Sequence, residues 1–331
     1  MRVIVDSILL SRPTEDEILQ INRLLSFGHE RHTLVFDPPE ALENYLQATF
    51  SQKVADIYRR CIANATRTAT RLPANCATVR VTAITTPVWQ DPIAVLPLGE
   101  ALQLLEEPLG IFLENNQNDW HFLLGIMRPS ERERLQDAAK RGWATPLHGG
   151  GSTLKQQLTN RLSATHKALR TFALFDSDRR HPDELKPDWD PSGKESCEGR
   201  EIERVAQNMM AGRYWMLKRR FIESYMPREY ISRMTNNVPP GAVEAFFRLS
   251  QAGRWYFNMK KGFNGDAPGE NGHRCRDLYD AVEPADRAAL SKGFSNSLAN
   301  HYQSTAQNEF DWDSEARQEA EQNLPQLMRL L

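Results

Sequence analysis

Leu109-Gly110-Ile111-Phe112-Leu113-Glu114-Asn115-Asn116-Gln117-Asn118-Asp119 and Thr171-Phe172-Ala173-Leu174-Phe175-Asp176-Ser177-Asp178-Arg179-Arg180 are the two stretches on which the fold of this chain turns. In each, a short apolar run stops abruptly at a carboxylate. Runs of this length without alternation suit strands buried on both faces, as in a parallel sheet covered by helices. The first run leads through a polar turn into Trp120, Phe122, Leu123, Leu124, Ile126 and Met127, a helical pattern. Between the two stretches, Pro129-Ser130 with Glu133 caps a helix reaching about Lys140. Thr145 to Leu147 then reads as a short strand before His148-Gly149-Gly150-Gly151, and Leu154, Leu158, Leu162 and Ala168 mark another helix. Three strand-then-helix units in succession predict an α/β fold. Tyr214 to Leu217 reads as a fourth strand, after a polar loop from about Arg180 to Gly199 and a helix over Ile202, Val205 and Met209.

Upstream, Arg2 to Val5 reads as a strand and Glu15 to Leu25 as a helix opened by the capping box Thr14…Glu17. Thr33 to Phe36 is a second strand; Leu42, Tyr45 and Leu46, then Val54, Ile57, Tyr58 and Cys61, mark helices, and Thr78 to Thr85 a third strand. Thr86 to Pro108 holds four prolines and reads as a border. The expected organisation is an N-terminal α/β module over 1–105, a catalytic α/β domain over 106–265 and a mainly helical extension over 266–331. From about residue 228 the chain reads as mainly helical with an interruption between Gly262 and Gly272, and Glu309, Asp311, Asp313, Glu315, Glu319 and Glu321 near its end read as a solvated helix face.

Composition bounds the partners. Hydrophobic residues make up 40% and charged residues 25% of the 331, which suits a folded globular chain. A formal net charge of -2 supplies no global pull toward nucleic acid, so such binding must come from local clusters of Arg and Lys. Cys61, Cys76, Cys197 and Cys275 lack metal-site spacing and read as reduced thiols. No apolar run is long enough for a leader or a membrane span, so a soluble, cytoplasmic protein is expected.

Ligands of open α/β sheets gather outside the carboxyl ends of the strands. The predicted fold puts Glu114 at one strand end and Asp176 with Asp178 at another. Carboxylates crowded together repel unless something positive joins them, and an all-oxygen set favours Mg²⁺ or Mn²⁺ over zinc. Two such ions, about 3.5–4 Å apart, suit hydrolysis of a phosphodiester.

At these residues the sequence resembles the Toprim domain shared by topoisomerases, primases and OLD-type nucleases. Phe112-Leu113-Glu114, His148-Gly149-Gly150-Gly151 and Phe175-Asp176-Ser177-Asp178 correspond to the family's Glu, glycine turn and Asp-x-Asp. Leu217-Lys218-Arg219-Arg220-Phe221-Ile222-Glu223-Ser224-Tyr225 is similar to the basic strand end of OLD-like nucleases of phage-defence systems, and Tyr256-Phe257-Asn258-Met259-Lys260-Lys261-Gly262 to a downstream Lys-x-Gly element. The resemblance spans roughly residues 108–262. It implies a Toprim-like sheet flanked by helices and a Mg²⁺- or Mn²⁺-dependent endonuclease acting on DNA or RNA, with two ions and a separate ATPase partner; a homodimer is left open. Glu114, Asp176, Asp178 and Glu223 would hold or orient metal, Asp119 would assist, and Lys260 would offset charge on the phosphate. The family's Glu-Gly is Glu114-Asn115 here, and Asp119 lies five residues after Glu114 with Asn118 at the usual place, so the second acidic position falls to one or the other. No Walker A motif is present.

Blander readings stand beside these. Asp-x-Asp after a strand is commonly a helix cap, the glycine run a turn, and His148 a loop residue. Arg179, Arg180, Lys218, Arg219, Arg220 and Lys261 could form a rim that holds phosphates, or simply face water. Trp255, Tyr256 and Phe257 could stack bases but read as core, and Met209, Met210 and Met216 as packing. A partner-binding subunit that keeps the fold without catalysis is the alternative function, with primase- or topoisomerase-like nucleotidyl transfer ranked below it.

Overall fold

A computed structural model describes residues 1–28, 31–69, 72–73, 75–150, 153–191, 197–233, 238–266, 272–295, 297–305 and 310–331. The fold is α/β. One parallel sheet is formed by β1 (Arg2–Asp6), β2 (Thr33–Asp37), β3 (Thr78–Val81) and β4 (Ile93–Leu96) in the order β2-β1-β3-β4. A second parallel sheet is formed by β5 (Leu109–Leu113), β6 (Ala144–His148), β7 (Thr171–Phe175) and β8 (Tyr214–Met216) in the order β6-β5-β7-β8. Both sheets thus run second-first-third-fourth along the chain. In each, the order reverses between the first and third strands, where the crossover helices leave to opposite sides and open a crevice.

Burial explains the strand positions. Every residue of β5 and β7 is buried, as central strands covered on both faces require. β6 pairs on one side only and is partly exposed, so Pro146 within it removes no needed ladder bond. Gly110 of β5 is needed because the Arg161 side chain crosses directly over it: a Cβ there would lie 2.8 Å from the guanidinium carbon. Arg161 in turn ties Thr171 Oγ1 (2.9 Å) to Glu107 Oε1 (2.9 Å). A single apolar cluster contains Val3 and Val79 of the first sheet and Leu109 and Phe172 of the second.

The capping box of the helix Glu15–Phe27 is formed: Glu17 N donates to Thr14 Oγ1 (3.3 Å) and Thr14 N to Glu17 Oε2 (2.7 Å). Thr14→Ala is expected to cost about 1 kcal/mol, read as a lower urea midpoint with an unchanged slope.

Three expectations need correction. The strand expected over Thr78 to Thr85 ends at Val81, and the proline-bearing stretch after it holds β4 and the helix Leu98–Glu106. Of its prolines, Pro92 precedes β4, Pro97 caps that helix and Pro108 precedes the next strand, Leu109–Leu113. The acidic face near the C-terminus is not uniformly solvated. Glu319 is buried on the helix Ser314–Met328, where it accepts bonds from Trp215 Nε1 (2.9 Å), Lys218 N (2.8 Å) and Tyr225 Oη (2.7 Å). Asp313 caps the same helix and pairs with Arg219. That helix is therefore docked onto the end of β8. Third, Met209 is 42% exposed, so only Met210 and Met216 of the three methionines pack as expected. Gly151 and Glu309 lie outside the described residues, as do 192–196 of the loop before Gly199 and 267–271 of the interruption after Gly262. The four cysteines are free thiols. Among the described residues no helix is long and apolar enough to cross a membrane.

Candidate metal centre

β5 and β7 are neighbours at the crossover of the second sheet, so the residues that follow them meet. Glu114 Oε1 accepts a hydrogen bond from Asp176 N at 2.9 Å, linking the two strand ends directly. Asp176 is buried, and its Oδ1 accepts from Ile222 N at 3.1 Å. Asp119, in the first turn of the helix Asn118–Ile126, is buried and accepts from Asn115 N at 2.9 Å. Glu223, on the short turn of helix Ile222–Tyr225, is buried beside Lys260, whose Nζ lies 3.5 Å from Glu223 Oε1. The other oxygen, Glu223 Oε2, is buried with no hydrogen-bond partner among the described residues.

Electrostatics shows that these groups share one environment. Burial raises the Glu114 carboxyl well above the usual range, and the charges of Asp178 and Asp119 raise it further. Asp176 is raised likewise, by burial and then by Glu114, with Lys260 pulling the other way. Asp119 is pushed up to about 7, chiefly by burial, with the Glu223 charge adding to it and the bond from Asn115 opposing. Burial alone would depress the Lys260 ammonium, but Glu223, Asp176, Glu114 and Asp178 outweigh it and hold the lysine charged. One lysine is therefore facing a surplus of carboxylates, which favours the uptake of protons or of a further cation.

Asp178 reaches the cluster differently. Its backbone has φ 54, and its Oδ2 accepts from Gly199 N at 3.1 Å, where the helix Glu198–Met209 begins. A carboxylate there is favoured by the helix dipole, so Asp178 also serves as a cap. Gly199 is required: a Cβ would lie 2.3 Å from the Ser177 carbonyl oxygen. Gly199, and the main-chain donors of Asn115 and Ile222, position the acids and escaped the sequence reading, since a backbone N–H leaves no mark on residue type.

Glu114, Asp119, Asp176 and Asp178 each have a separate main-chain donor, and among the described residues no group of three or more His, Cys, Asp or Glu side chains is arranged to hold a metal ion. The shared electrostatic field and this lack of a gathered ligand set pull in different directions. The unpartnered Glu223 Oε2 and the surplus of buried negative charge nonetheless fit a hard divalent cation better than any neutral ligand.

The expected basic rim is largely absent. Arg179 is buried, donating to Glu184 O (2.7 Å) and Glu203 Oε2 (2.6 Å). Arg219 is held by Asp313 (2.6 Å) and packs on Tyr225 and Trp255. Arg220 is buried against Asp266, which Arg180 also approaches at 3.1 Å. Three of the arginines thus build the scaffold behind the acids. Lys218 and Lys261 are exposed, and Lys218 Nζ is 3.4 Å from Gln322 Oε1. Of the aromatic run, Tyr256 and Phe257 are core while Trp255 is half-buried. Asn118 and Asp119 are both buried; Asn118 bonds Gln303 and Asn300, while Asp119 carries a carboxyl that feels the Glu223 charge. His148 ends β6 beside Leu113, next to the cluster, and a Cβ on Gly150 would meet its ring at 2.7 Å. When compared with family models, curated proteins and solved structures, the chain matches none of them.

Proposed function

We propose that the chain is a Toprim-like, divalent-cation-dependent nuclease of the OLD-like type, hydrolysing phosphodiester bonds in DNA or RNA. The observation that carries this reading is the convergence of Glu114 and Asp176 across the crossover of the second sheet, with Asp119, Glu223 and Lys260 in the same electrostatic environment. A crossover crevice is where parallel α/β sheets bind ligands, and a surplus of buried carboxylates is where a hard cation binds.

Glu114, Asp176 and Glu223 would hold the cation, with Asp119 and Asp178 supporting. When bound, Mg²⁺ or Mn²⁺ would supply Lewis acidity toward a phosphate oxygen and toward water. The chain's own contribution is positional. Asp176 is oriented by Ile222 N, Glu114 by Asp176 N and Asp119 by Asn115 N, so the acids are held by main chain rather than by mobile side chains. Lys260 keeps its proton and offsets phosphate charge, and it packs over the Phe221 ring at 4.6 Å, which fixes its direction. Lys261 and Lys218 are the exposed cations left to track a strand.

The test is a cleavage assay on supercoiled DNA, linear DNA and tRNA with Mg²⁺ or Mn²⁺, each repeated in EDTA and with a candidate ATPase added. Cation-dependent cleavage is expected on at least one substrate. A second reading, a non-catalytic subunit that binds an ATPase, is favoured by the main-chain donors already paired to Glu114, Asp119, Asp176 and Asp178 and by the absence, among the described residues, of a gathered ligand triad. Absence of cleavage under every condition, together with stable binding to the ATPase, would select it.

A further inference from the structure

A cleft of about 740 Å³ opens on the far side of the Ile222–Tyr225 turn from Lys260, and its lining includes Arg219, Ser224, Arg228, Phe247, Arg254 and Trp255. The turn is thus a shared wall: Glu223 faces Lys260, while Ser224 and Tyr225 face the cleft. A volume of this size falls in the range of small-molecule sites, roughly 300–1,000 Å³.

The polar groups of the cleft are unequally used. Among the described residues, Ser224 Oγ is buried and has no hydrogen-bond partner, although the residue is only 9% exposed. The Arg228 guanidinium lies 4.5 Å over the Phe247 ring and has no carboxylate or carbonyl partner among the described residues. Arg254 spends Nη1 on Leu249 O (2.7 Å) and Phe247 O (3.4 Å). Trp255 is half-buried with Arg219 4.8 Å from its ring. Two of the four acids of the wall are neutralised by arginines. Asp313 holds Arg219, Glu315 accepts from Gln251 at 3.0 Å, and Asp311 lies 3.4 Å from Arg317; Glu229 is exposed at the rim.

What remains unspent is a cation on an aromatic ring, a buried hydroxyl and the edge of a second guanidinium. Unspent donors call for an acceptor-rich, negatively charged ligand, and guanidinium groups suit phosphate in particular. Ring faces beside them call for a flat, weakly polar surface. Phosphate and a flat heterocycle joined in one molecule make a nucleotide.

We propose that this cleft binds a nucleotide, either free or as one unit of a single strand, with the phosphate at Arg228 and Arg254 and the base against Phe247 and Trp255. Because Ser224 and Glu223 are consecutive on one short turn, an occupant of the cleft presses on the wall that carries the cluster's unpartnered carboxylate oxygen. The inference does not rest on cleavage or on a metal at the acidic cluster.

The experiment is fluorescence anisotropy of a labelled decathymidylate, with AMP and ATP as competitors, on the full chain in EDTA so that no cleavage occurs. Saturable binding is expected, with Arg228→Glu weakening it by about tenfold or more and Trp255→Leu by a similar factor. Arg228 is exposed, so its variant keeps the parent's melting curve, and Trp255→Leu serves as the independent check. Competition by AMP assigns the cleft to a free nucleotide; binding of the oligonucleotide that AMP fails to displace assigns it to a strand. Isothermal titration of AMP and ATP covers the case in which only free nucleotide binds. No saturable binding of any of these probes at millimolar concentration overturns the proposal, as does binding that is unchanged in both variants.

Discussion

Replacing Asp176 by Asn is expected to remove cation-dependent cleavage, by about a hundredfold or more, while making the metal-free protein more stable at pH 8. The two effects have one cause. Asp176 is buried next to Glu114, and its carboxyl is pushed well above the usual range by burial and by that neighbour, so ionising it at pH 8 opposes folding. Asparagine keeps an oxygen to accept from Ile222 N (3.1 Å in the parent) and discards the charge. A higher melting temperature in EDTA at pH 8 is the expected result, because a mismatch between folded and unfolded titration is itself a stability difference. Lys260→Met should lower cleavage as well but destabilise the metal-free protein at pH 8, because it removes the ammonium that opposes the raised titration of Glu114, Asp119 and Asp176. Thermal melts in EDTA and cleavage rates in Mg²⁺ read both arms. Cleavage by Asp176→Asn at the parent rate would remove the acid from any catalytic role.

The second large effect is a coupling between pH and cation. Glu114, Asp119 and Asp176 all have carboxyls raised above their unfolded values, Asp119 to about 7. Their contribution is therefore complete at pH values below the unfolded carboxylate range. It is lost as pH rises, because the unfolded chain ionises first and the folded one only on passing the raised value. Stability of the metal-free protein should decline from about pH 4 to beyond pH 7 from this cluster. A divalent cation binds the ionised acids, so it should stabilise far more at pH 8 than at pH 5.5. At a hundred times its dissociation constant the gain is about 2.7 kcal/mol. Differential scanning calorimetry with Mg²⁺ or Mn²⁺ against EDTA at the two pH values measures it. An equal shift at both would mean that the cation binds elsewhere.

The sheet was legible because burial writes itself into residue type. The apolar runs Leu109–Leu113 and Thr171–Phe175 have no alternation, and both are strands buried at every position. The capping box at Thr14 was equally plain, since its two side chains satisfy each other locally. β4 was hidden by the prolines around it, which mark element ends as readily as linkers. Arginines misled more. Arg179, Arg219 and Arg220 look like a phosphate-binding run, but each finds a carboxylate brought from elsewhere in the chain: Glu203, Asp313 and Asp266. Glu319 misled in the same way from the acidic side.

By itself the sequence determined the α/β class, the carboxylates at the strand ends and the order in which they occur, because apolar periodicity and chain punctuation are local properties. Only the tertiary structure decided which charges are neighbours. The crossover of the second sheet brings Glu114 to Asp176, the turn at Ile222 adds Glu223, and Lys260 arrives from a later segment. Pairing across long sequence separations depends on where strands and helices pack, and burial then sets how strongly the paired charges act. The same packing that took the arginines out of solvent left the acids facing, among the described residues, the lysine at 260.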